Sequence, residues 1–285
     1  MNAPKPQQLY SFLIHTMSIH IPSASSKNCI QLRALGFCGV DDSVLDPEML
    51  ALISSKYPFV EWGVLFRPDL EGTPRYASSA WLKRLALVKQ KSGASMRLAG
   101  HLCGAHVDGV LQGDSSFVKS LATFGFGRVQ INATAVNGVN TQDLSLCVDN
   151  LLGAIRAVPE VEWIIQRNLE TQPLWEPLYA REDIPSNISF LFDSSCGKGI
   201  LPSSFPEPTA AHIPCGYAGG IGPENIFNVL GGLSKVLGSQ REVWIDMESS
   251  LRSDVDNFNS FSIQKCFRCI LETTRFQRLE YDGQA

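Results

Sequence analysis

A carboxylate and a thiol, each placed at the end of an apolar run, are the residues of this 285-residue chain best suited to acid–base chemistry. Asp193 follows the apolar run 188–192, and Cys38 follows the run 31–37 and precedes Gly39. A thiol acts as a base once its pKa is lowered, and a desolvated carboxyl can donate a proton. The pair therefore indicates proton-transfer chemistry. A small core cysteine and an aspartate that caps a turn would look the same, so both interpretations stay open at this point.

A glycine pair and a loop arginine are the candidate anion-binding residues. Gly219 and Gly220 precede Pro223 in the segment AGGIGPEN. Glycines let a backbone approach a ligand, and the N–H groups at a helix start attract anions, so this segment is a candidate phosphate cradle. An ordinary tight turn is the alternative. Arg75, next to Tyr76, could form two parallel hydrogen bonds with a carboxylate or phosphate, although many loop arginines are merely solvated.

The segment HLCGAH contains two possible metal ligands, His101 and His106. A metal site needs a third ligand, and the sequence places none beside them. We therefore expect no metal site, and a hydrogen-bonded histidine at position 101. The Cys266–Cys269 pair has no second CxxC or histidine pair nearby, so packing is the expected role there too.

Eight apolar or β-branched runs alternate with segments of helical spacing. The runs are residues 31–37, 60–66, 96–102, 128–132, 162–166, 188–192, 213–218 and 242–246. Helical spacing occurs in 46–56, 79–91, 117–124, 141–157, 174–181, 223–237 and 254–274. Strands that are apolar on both faces are typical of a parallel sheet covered by helices. We therefore predict an α/β protein with a single (β/α)8 TIM barrel, and an open doubly wound sheet is the alternative.

Two details of this organisation follow from composition. The interval between the sixth and seventh runs contains four prolines between positions 202 and 214, so we expect no helix there. Residues 1–28 are expected to form an N-terminal extension ahead of a barrel domain at 29–285. The first 40 residues lack acidic residues and faintly resemble a transit peptide, but scarce arginine favours a plain extension.

In such a barrel the active site lies at the C-terminal ends of the strands. The residues at those ends are Cys38, Phe66, Arg67, His101, Cys103, Asn132, Gln166, Arg167, Asn168, Asp193, Gly219, Gly220, Asp246 and Glu248. This concentration of polar groups and glycines predicts a small-molecule site. A barrel that binds a ligand or a partner protein without catalysis is the alternative from another functional class.

Composition narrows the class of partner. The chain has 44% hydrophobic residues, a formal net charge of −4 and a pI near 5.8, which give no reason to expect nucleic acid. No apolar run reaches the ~20 residues that span a bilayer. The eight cysteines are scattered through a long chain, so we expect reduced thiols. We expect a cytoplasmic monomer or homodimer that takes a small substrate.

Six short segments resemble, in the same order, the motifs of the phosphoribosylanthranilate isomerase family. They are FCG at 37–39, TPRY at 73–76, VQ at 129–130, FDS at 192–194, AGGIGPEN at 218–225 and ID at 245–246. The resemblance spans roughly residues 32–246. It implies a (β/α)8 barrel and that family's reaction in tryptophan biosynthesis, which converts an aminoaldose phosphate into an aminoketose phosphate by an Amadori rearrangement without a cofactor.

The resemblance also implies a role for each matching residue. Asp193 would be the general acid that opens the ribose ring, and Cys38 the general base that removes the proton from C2. Arg75 would hold the anthranilate carboxylate. Gly219 and Gly220 would hold the phosphate, and Asp246 and Gln130 would lie near the substrate.

The chain departs from the family's motifs at several positions. Gly36 replaces a lysine, the loop after Asp193 is shortened to SSCGKGI, and Glu248 stands where the family has a serine. A carboxylate at that place would repel phosphate unless it turns away or Lys198 compensates. A relative with the same acid and base but a different phosphorylated or carboxylated substrate is therefore the second hypothesis. Its substrate would be read by His101, Asn132 and Gln166.

Overall fold

Eight parallel strands form a closed barrel in this computed structural model, which describes residues 30–238, 241–255 and 258–281. The strands are β1 Gln31–Cys38, β2 Val60–Phe66, β3 Arg97–Leu102, β4 Arg128–Ile131, β5 Glu162–Arg167, β6 Ile188–Phe192, β7 Cys215–Tyr217 and β8 Glu242–Met247. Each strand pairs with its neighbours in sequence, and β8 pairs with β1. The predicted (β/α)8 TIM barrel is confirmed. The predicted N-terminal extension, residues 1–28, lies outside the described residues.

Helices cover the outside of the barrel. They are α1 Glu48–Lys56, α2 Ser79–Ser92, α3 Ala105–Leu111, α4 Ser116–Thr123, α5 Val148–Arg156, α6 Gln172–Tyr179, α7 Ile226–Leu237 and α8 Ile263–Tyr281. The described segment between β6 and β7 contains no helix, as its prolines predict. None of the helices in the described part of the chain combines the length and the apolar character needed to cross a membrane.

Two predicted helices were wrong at their N-terminal ends. The segment predicted as 141–157 begins as a 3-10 turn, Leu144–Cys147, before α5. The segment predicted as 254–274 begins instead with an antiparallel hairpin, β9 Arg252–Val255 and β10 Phe258–Phe261. Tertiary contacts explain the hairpin, because the buried Arg252 guanidinium donates to the Gly39 carbonyl at 2.9 Å and to Asp41 Oδ2 at 2.7 Å. These long-range bonds outweigh the local helical pattern.

An ion cluster fills the N-terminal end of the barrel. Arg128 donates to Glu61 Oε1 at 2.7 Å and to Glu162 Oε1 at 3.1 Å, and its guanidinium lies 4.2 Å from the centre of the Trp244 ring. We call Arg128, Glu61 and Glu162 the basal ion cluster. Because all its members are paired, the cluster closes this end without leaving an isolated charge in the interior.

The Trp244 ring requires a glycine on the neighbouring strand. A Cβ atom at Gly216 of β7 would lie 2.2 Å from Trp244 Cε2, far inside van der Waals contact. The indole therefore lies directly against the β7 backbone. Above it the barrel interior changes from apolar to polar side chains, which belong to the candidate site.

Candidate functional site

A cavity of about 310 Å³ opens at the C-terminal end of the barrel. Each of the eight strands contributes a lining residue, either its own or one directly after it. The predicted site residues that line it are Cys38, His101, Gln130, Asn132, Gln166, Asp193, Gly219, Gly220, Asp246 and Glu248. Arg67, Arg75 and Cys103 do not line it. The cavity therefore lies at the C-terminal strand ends and is lined by most of the residues predicted for the site.

Cys38 ends β1 and is 1% exposed. Burial raises the pKa of its thiol well above the usual 9.0, and the carboxyls of Asp246 and Glu248 raise it further. The surroundings thus favour the neutral thiol. A base role for Cys38 requires that a bound ligand change this electrostatic environment.

Asp193 directly follows β6 and is held by four hydrogen bonds. Its carboxyl accepts from Gln166 Nε2 at 2.7 Å, from the Ser195 N–H at 3.1 Å, from Ser195 Oγ at 2.5 Å and from the Gly197 N–H at 2.9 Å. Gly197 has a φ of +80°, which lets the loop turn back onto the carboxyl. The shortened loop therefore fixes the orientation of Asp193 toward the cavity.

Asp246 lies on β8 beside the first strand. The register pairs it with Gly36, and a Cβ atom at Gly36 would lie 2.6 Å from Asp246 Oδ1. The glycine at position 36 is therefore what leaves room for this carboxyl. Burial raises the pKa of Asp246 well above 3.8, and the nearby carboxyls of Glu61 and Glu248 raise it further.

Glu248 forms an ion pair with Arg75, whose Nη1 donates to Glu248 Oε1 at 2.9 Å. The backbone N–H of Arg75 donates to Asp41 Oδ2 at 2.7 Å, and this residue has a φ of +82°. Burial raises the pKa of Glu248, while Arg75 and Arg252 act in the opposite direction. The guanidinium that the family resemblance assigns to a substrate carboxylate thus binds a carboxylate of the protein itself.

His101 lies on β3, is 3% exposed and faces Cys38. Burial lowers the pKa of its imidazole from 6.5 to about 3, with a smaller contribution from Arg128, so the ring is neutral at physiological pH. The ligating atoms of Cys38, His101 and Asp246 all lie within 4.8 Å of one another. The other histidine of the segment, His106, instead stacks on Phe117 with ring centres 3.6 Å apart.

Sequence reasoning placed no third residue beside His101 because the relevant strands are far apart in the chain. Cys38 belongs to β1 and Asp246 to β8, and only barrel closure places these two strands side by side. The available signal in the sequence was that Cys38 and Asp246 each end a predicted strand. In a closed barrel the first and eighth strands are neighbours, so this signal could have placed Cys38 and Asp246 together.

Two buried amide oxygens face the cavity without a partner. Gln130 donates through Nε2 to Asn132 Oδ1 at 2.7 Å, and Gln166 donates through Nε2 to Asp193. The Oε1 atoms of both glutamines have no hydrogen-bond partner among the described residues. Buried polar atoms are usually paired, so these oxygens are positioned to accept from a ligand hydroxyl or amine.

The turn after β7 presents unpaired donors. Within the described residues, the backbone N–H groups of Gly219, Gly220 and Ile221 have no hydrogen-bond partner. The Asn225 side chain holds the turn by donating to the Gly220 carbonyl at 2.8 Å and accepting from the Gly222 N–H at 2.9 Å. The loop after β6 packs closely on this turn, since a Cβ atom at Gly220 would lie 2.3 Å from the Leu201 nitrogen. The turn therefore carries three N–H groups, without a partner among the described residues, beside the cavity, as turns that bind anions through the backbone do.

Comparison with known proteins agrees on the fold. No family model and no curated protein matches the chain. Among solved structures, TrpF from Jonesia denitrificans is 11% identical, with 90% of this chain and 100% of that chain covered and a TM-score of 0.50. A putative sugar phosphate isomerase/epimerase from Anabaena variabilis is 12% identical, with 87% and 99% covered and a TM-score of 0.47. A GH113 β-1,4-mannanase is 7% identical, with 87% and 99% covered and a TM-score of 0.44. The likeness to TrpF at this identity shows a shared (β/α)8 barrel.

Proposed function

We propose that the protein is an aldose–ketose isomerase of the phosphoribosylanthranilate isomerase type, acting on a phosphorylated aminoaldose whose amine substituent carries no carboxylate. The observation that carries this proposal is that Cys38 and Asp193 line one cavity, with Asp193 fixed by four hydrogen bonds. These are the base and the acid that the family resemblance implies.

The proposed reaction transfers two protons. Asp193 protonates the ring oxygen, and the amine lone pair opens the ring to an iminium ion at C1. Cys38 then releases its thiol proton to solvent, and the resulting thiolate removes the proton from C2. The electron pair of that C–H bond forms a C1–C2 double bond as the iminium nitrogen is neutralised. The resulting enol tautomerises to the ketone. The iminium charge beside Cys38 is what would offset the burial of the thiolate.

The proposed phosphate site is the turn after β7. The unpaired N–H groups of Gly219, Gly220 and Ile221 support it, because oriented backbone donors bind phosphate without needing a lysine or arginine. The buried Oε1 atoms of Gln130 and Gln166 would accept hydrogen bonds from sugar hydroxyls.

Arg75 is the reason to expect a substrate without a carboxylate on its amine substituent. Its ion pair with Glu248 leaves Arg75 a poor partner for a second carboxylate, which would lie next to Glu248 and be repelled. We therefore prefer the second of the two substrate hypotheses, with a neutral amine substituent.

A matched pair of substrates tests the proposal. The aniline and anthranilate adducts of ribose 5-phosphate differ only in the carboxylate. We expect a higher kcat/KM for the aniline adduct, and a loss of at least about 10²-fold in C38A and in D193A, as expected when an acid or base is removed. Turnover of neither adduct, or variants as active as the unmodified protein, would refute the proposal. Binding without turnover would assign the barrel to the non-catalytic class.

A further inference from the structure

We propose that Cys38, His101 and Asp246 form a binding site for a divalent transition metal ion, with Zn²⁺ as the best match. A bound ion would occupy the thiol that the proposed isomerase uses as its base, so metal binding and that reaction would exclude each other. The three residues lie on different strands, with His101 on β3, Cys38 on β1 and Asp246 on β8. Strands β1 and β8 are neighbours in the closed barrel.

The geometry of the three donors is close to that of a metal site. The thiol sulfur, an imidazole nitrogen and a carboxyl oxygen lie within 4.8 Å of one another. Ligands of tetrahedral zinc lie at about 2.0–2.3 Å from the ion, and therefore about 3.5 Å from one another. The separations are at most 4.8 Å, so small rotations of the side chains would bring the donors to that spacing.

Glycines on two strands make the convergence sterically feasible. Gly63 of β2 pairs with Cys38, and a Cβ atom there would lie 2.8 Å from His101 Nε2 and 3.0 Å from Cys38 Cβ. Gly36 gives the same clearance to the Asp246 carboxyl, at 2.6 Å from Oδ1. Glycine inside a strand weakens it, and often marks a place where another group approaches closely. Here the group that approaches is the set of three donors.

Two of the three donors, those of His101 and Asp246, lack other partners in the described part of the chain. Within the described residues, neither the imidazole nitrogens of His101 nor the carboxyl of Asp246 takes part in a hydrogen bond, although His101 is 3% exposed. Both side chains line the cavity, so their ligating atoms are open to a metal ion.

The charge of the cavity suits a cation. Its lining includes three carboxyl groups, those of Asp193, Asp246 and Glu248, and no lysine or arginine. A sulfur, nitrogen and oxygen donor set favours zinc, cobalt or copper over magnesium and calcium, which take oxygen donors. All three donors line the cavity, so water or a ligand in the cavity could supply a fourth donor.

Spectroscopic titration with Co²⁺ tests the site. The reduced full chain, freed of metal with a chelator, is titrated with Co²⁺ and the ion is then displaced with Zn²⁺. We expect one equivalent to bind with a thiolate-to-cobalt charge-transfer band, which disappears in C38S. Loss of an outer-shell partner already costs about 10–100-fold in affinity, so H101A and D246N are each expected to weaken Zn²⁺ binding at least about tenfold.

Other thiols supply the controls. C103S removes a buried thiol close to the site, and C266S/C269S removes the CxxC pair, so both variants are expected to keep the band and the affinity. Thermal melting of each metal-free variant shows whether it is folded. No binding by the unmodified protein, a band that survives in C38S, or a band that is lost in C266S/C269S would overturn the assignment.

Discussion

Arg75 and Glu248 lie 173 positions apart in the chain, and their side chains meet with Arg75 Nη1 2.9 Å from Glu248 Oε1. The pair joins the loop after β2 to the end of β8, at the rim of the cavity. Both partners are partly exposed, so the pair contributes little to stability. Its importance is for recognition, because it determines which charges remain for a ligand.

Removing Glu248 is therefore expected to change substrate preference. In E248S the Arg75 guanidinium is free, and a hydrogen bond to a charged group contributes about 1.5–3 kcal/mol, which corresponds to about 10–100-fold. We expect kcat/KM for the anthranilate adduct to rise by about that factor relative to the aniline adduct. The double variant R75Q/E248S, which has no guanidinium, should show no such rise. An equal gain in both variants would contradict the role given to Arg75.

Gly216 is expected to tolerate no side chain. G216A places a Cβ atom 2.2 Å from the Trp244 ring, and overpacking of this kind costs about 1–3 kcal/mol or more. G153A, in helix α5, is the matched control, because a Cβ atom there meets no atom within 4 Å apart from its chain neighbours and the backbone of its own helix. That substitution is expected to stabilise the protein by about 0.4–1 kcal/mol. Urea unfolding of both variants measures the difference, and equal stabilities would contradict the packing of Trp244 on β7.

Asp193 is also expected to support the structure around it. In D193A the buried donors Gln166 Nε2 and Ser195 Oγ lose their acceptor, which costs about 1–3 kcal/mol. S194A changes the exposed neighbour and is expected to stay within about 0.5 kcal/mol of the unmodified protein. Urea unfolding separates this loss of stability from any loss of turnover. A D193A variant as stable as S194A would mean that these hydrogen bonds do not stabilise the fold.

The basal ion cluster is expected to make stability depend on pH. Burial alone would raise the pKa of Glu162, but Arg128 and Arg33 outweigh it and lower that pKa below 4.5. A lowered folded-state pKa means that the unfolded chain binds the proton more readily. This contribution to stability is therefore complete above pH 4.5 and is lost as the pH falls from there through the folded-state pKa.

Denaturant unfolding between pH 3 and pH 6 checks this expectation. E162Q should flatten the decline in the free energy of unfolding, whereas E160Q, at an exposed position two residues earlier, should leave it unchanged. Identical pH profiles for E162Q and the unmodified protein would show that Glu162 does not carry the dependence.

The sequence was sufficient for the barrel and for the cavity, because the continuously apolar strands determine both. Strand β6 was predicted with the bounds that it has, and polar residues directly after apolar runs, such as Asp193, line the cavity. What could not be predicted depends on contacts across the barrel. The ion pair of Arg75 with Glu248 and the grouping of Cys38 with Asp246 depend on loop paths and on the closure of β8 against β1.

Helix α3 and the β9–β10 hairpin were missed for two different reasons. The seven residues Ala105–Leu111 are too few to show a helical repeat. The hairpin depends on the buried guanidinium of Arg252, whose partners Gly39 and Asp41 are more than 200 positions away. No local pattern contains that information.

The closed N-terminal end of the barrel determines how a ligand enters and leaves the cavity. Ala34, Ile164, Leu191 and Trp244 are packed together at about 1% exposure, with the basal ion cluster at the same end. A ligand therefore enters and leaves the cavity through the same opening, at the C-terminal end. Bound product prevents the next substrate molecule from entering the cavity, so product inhibition should be competitive with substrate.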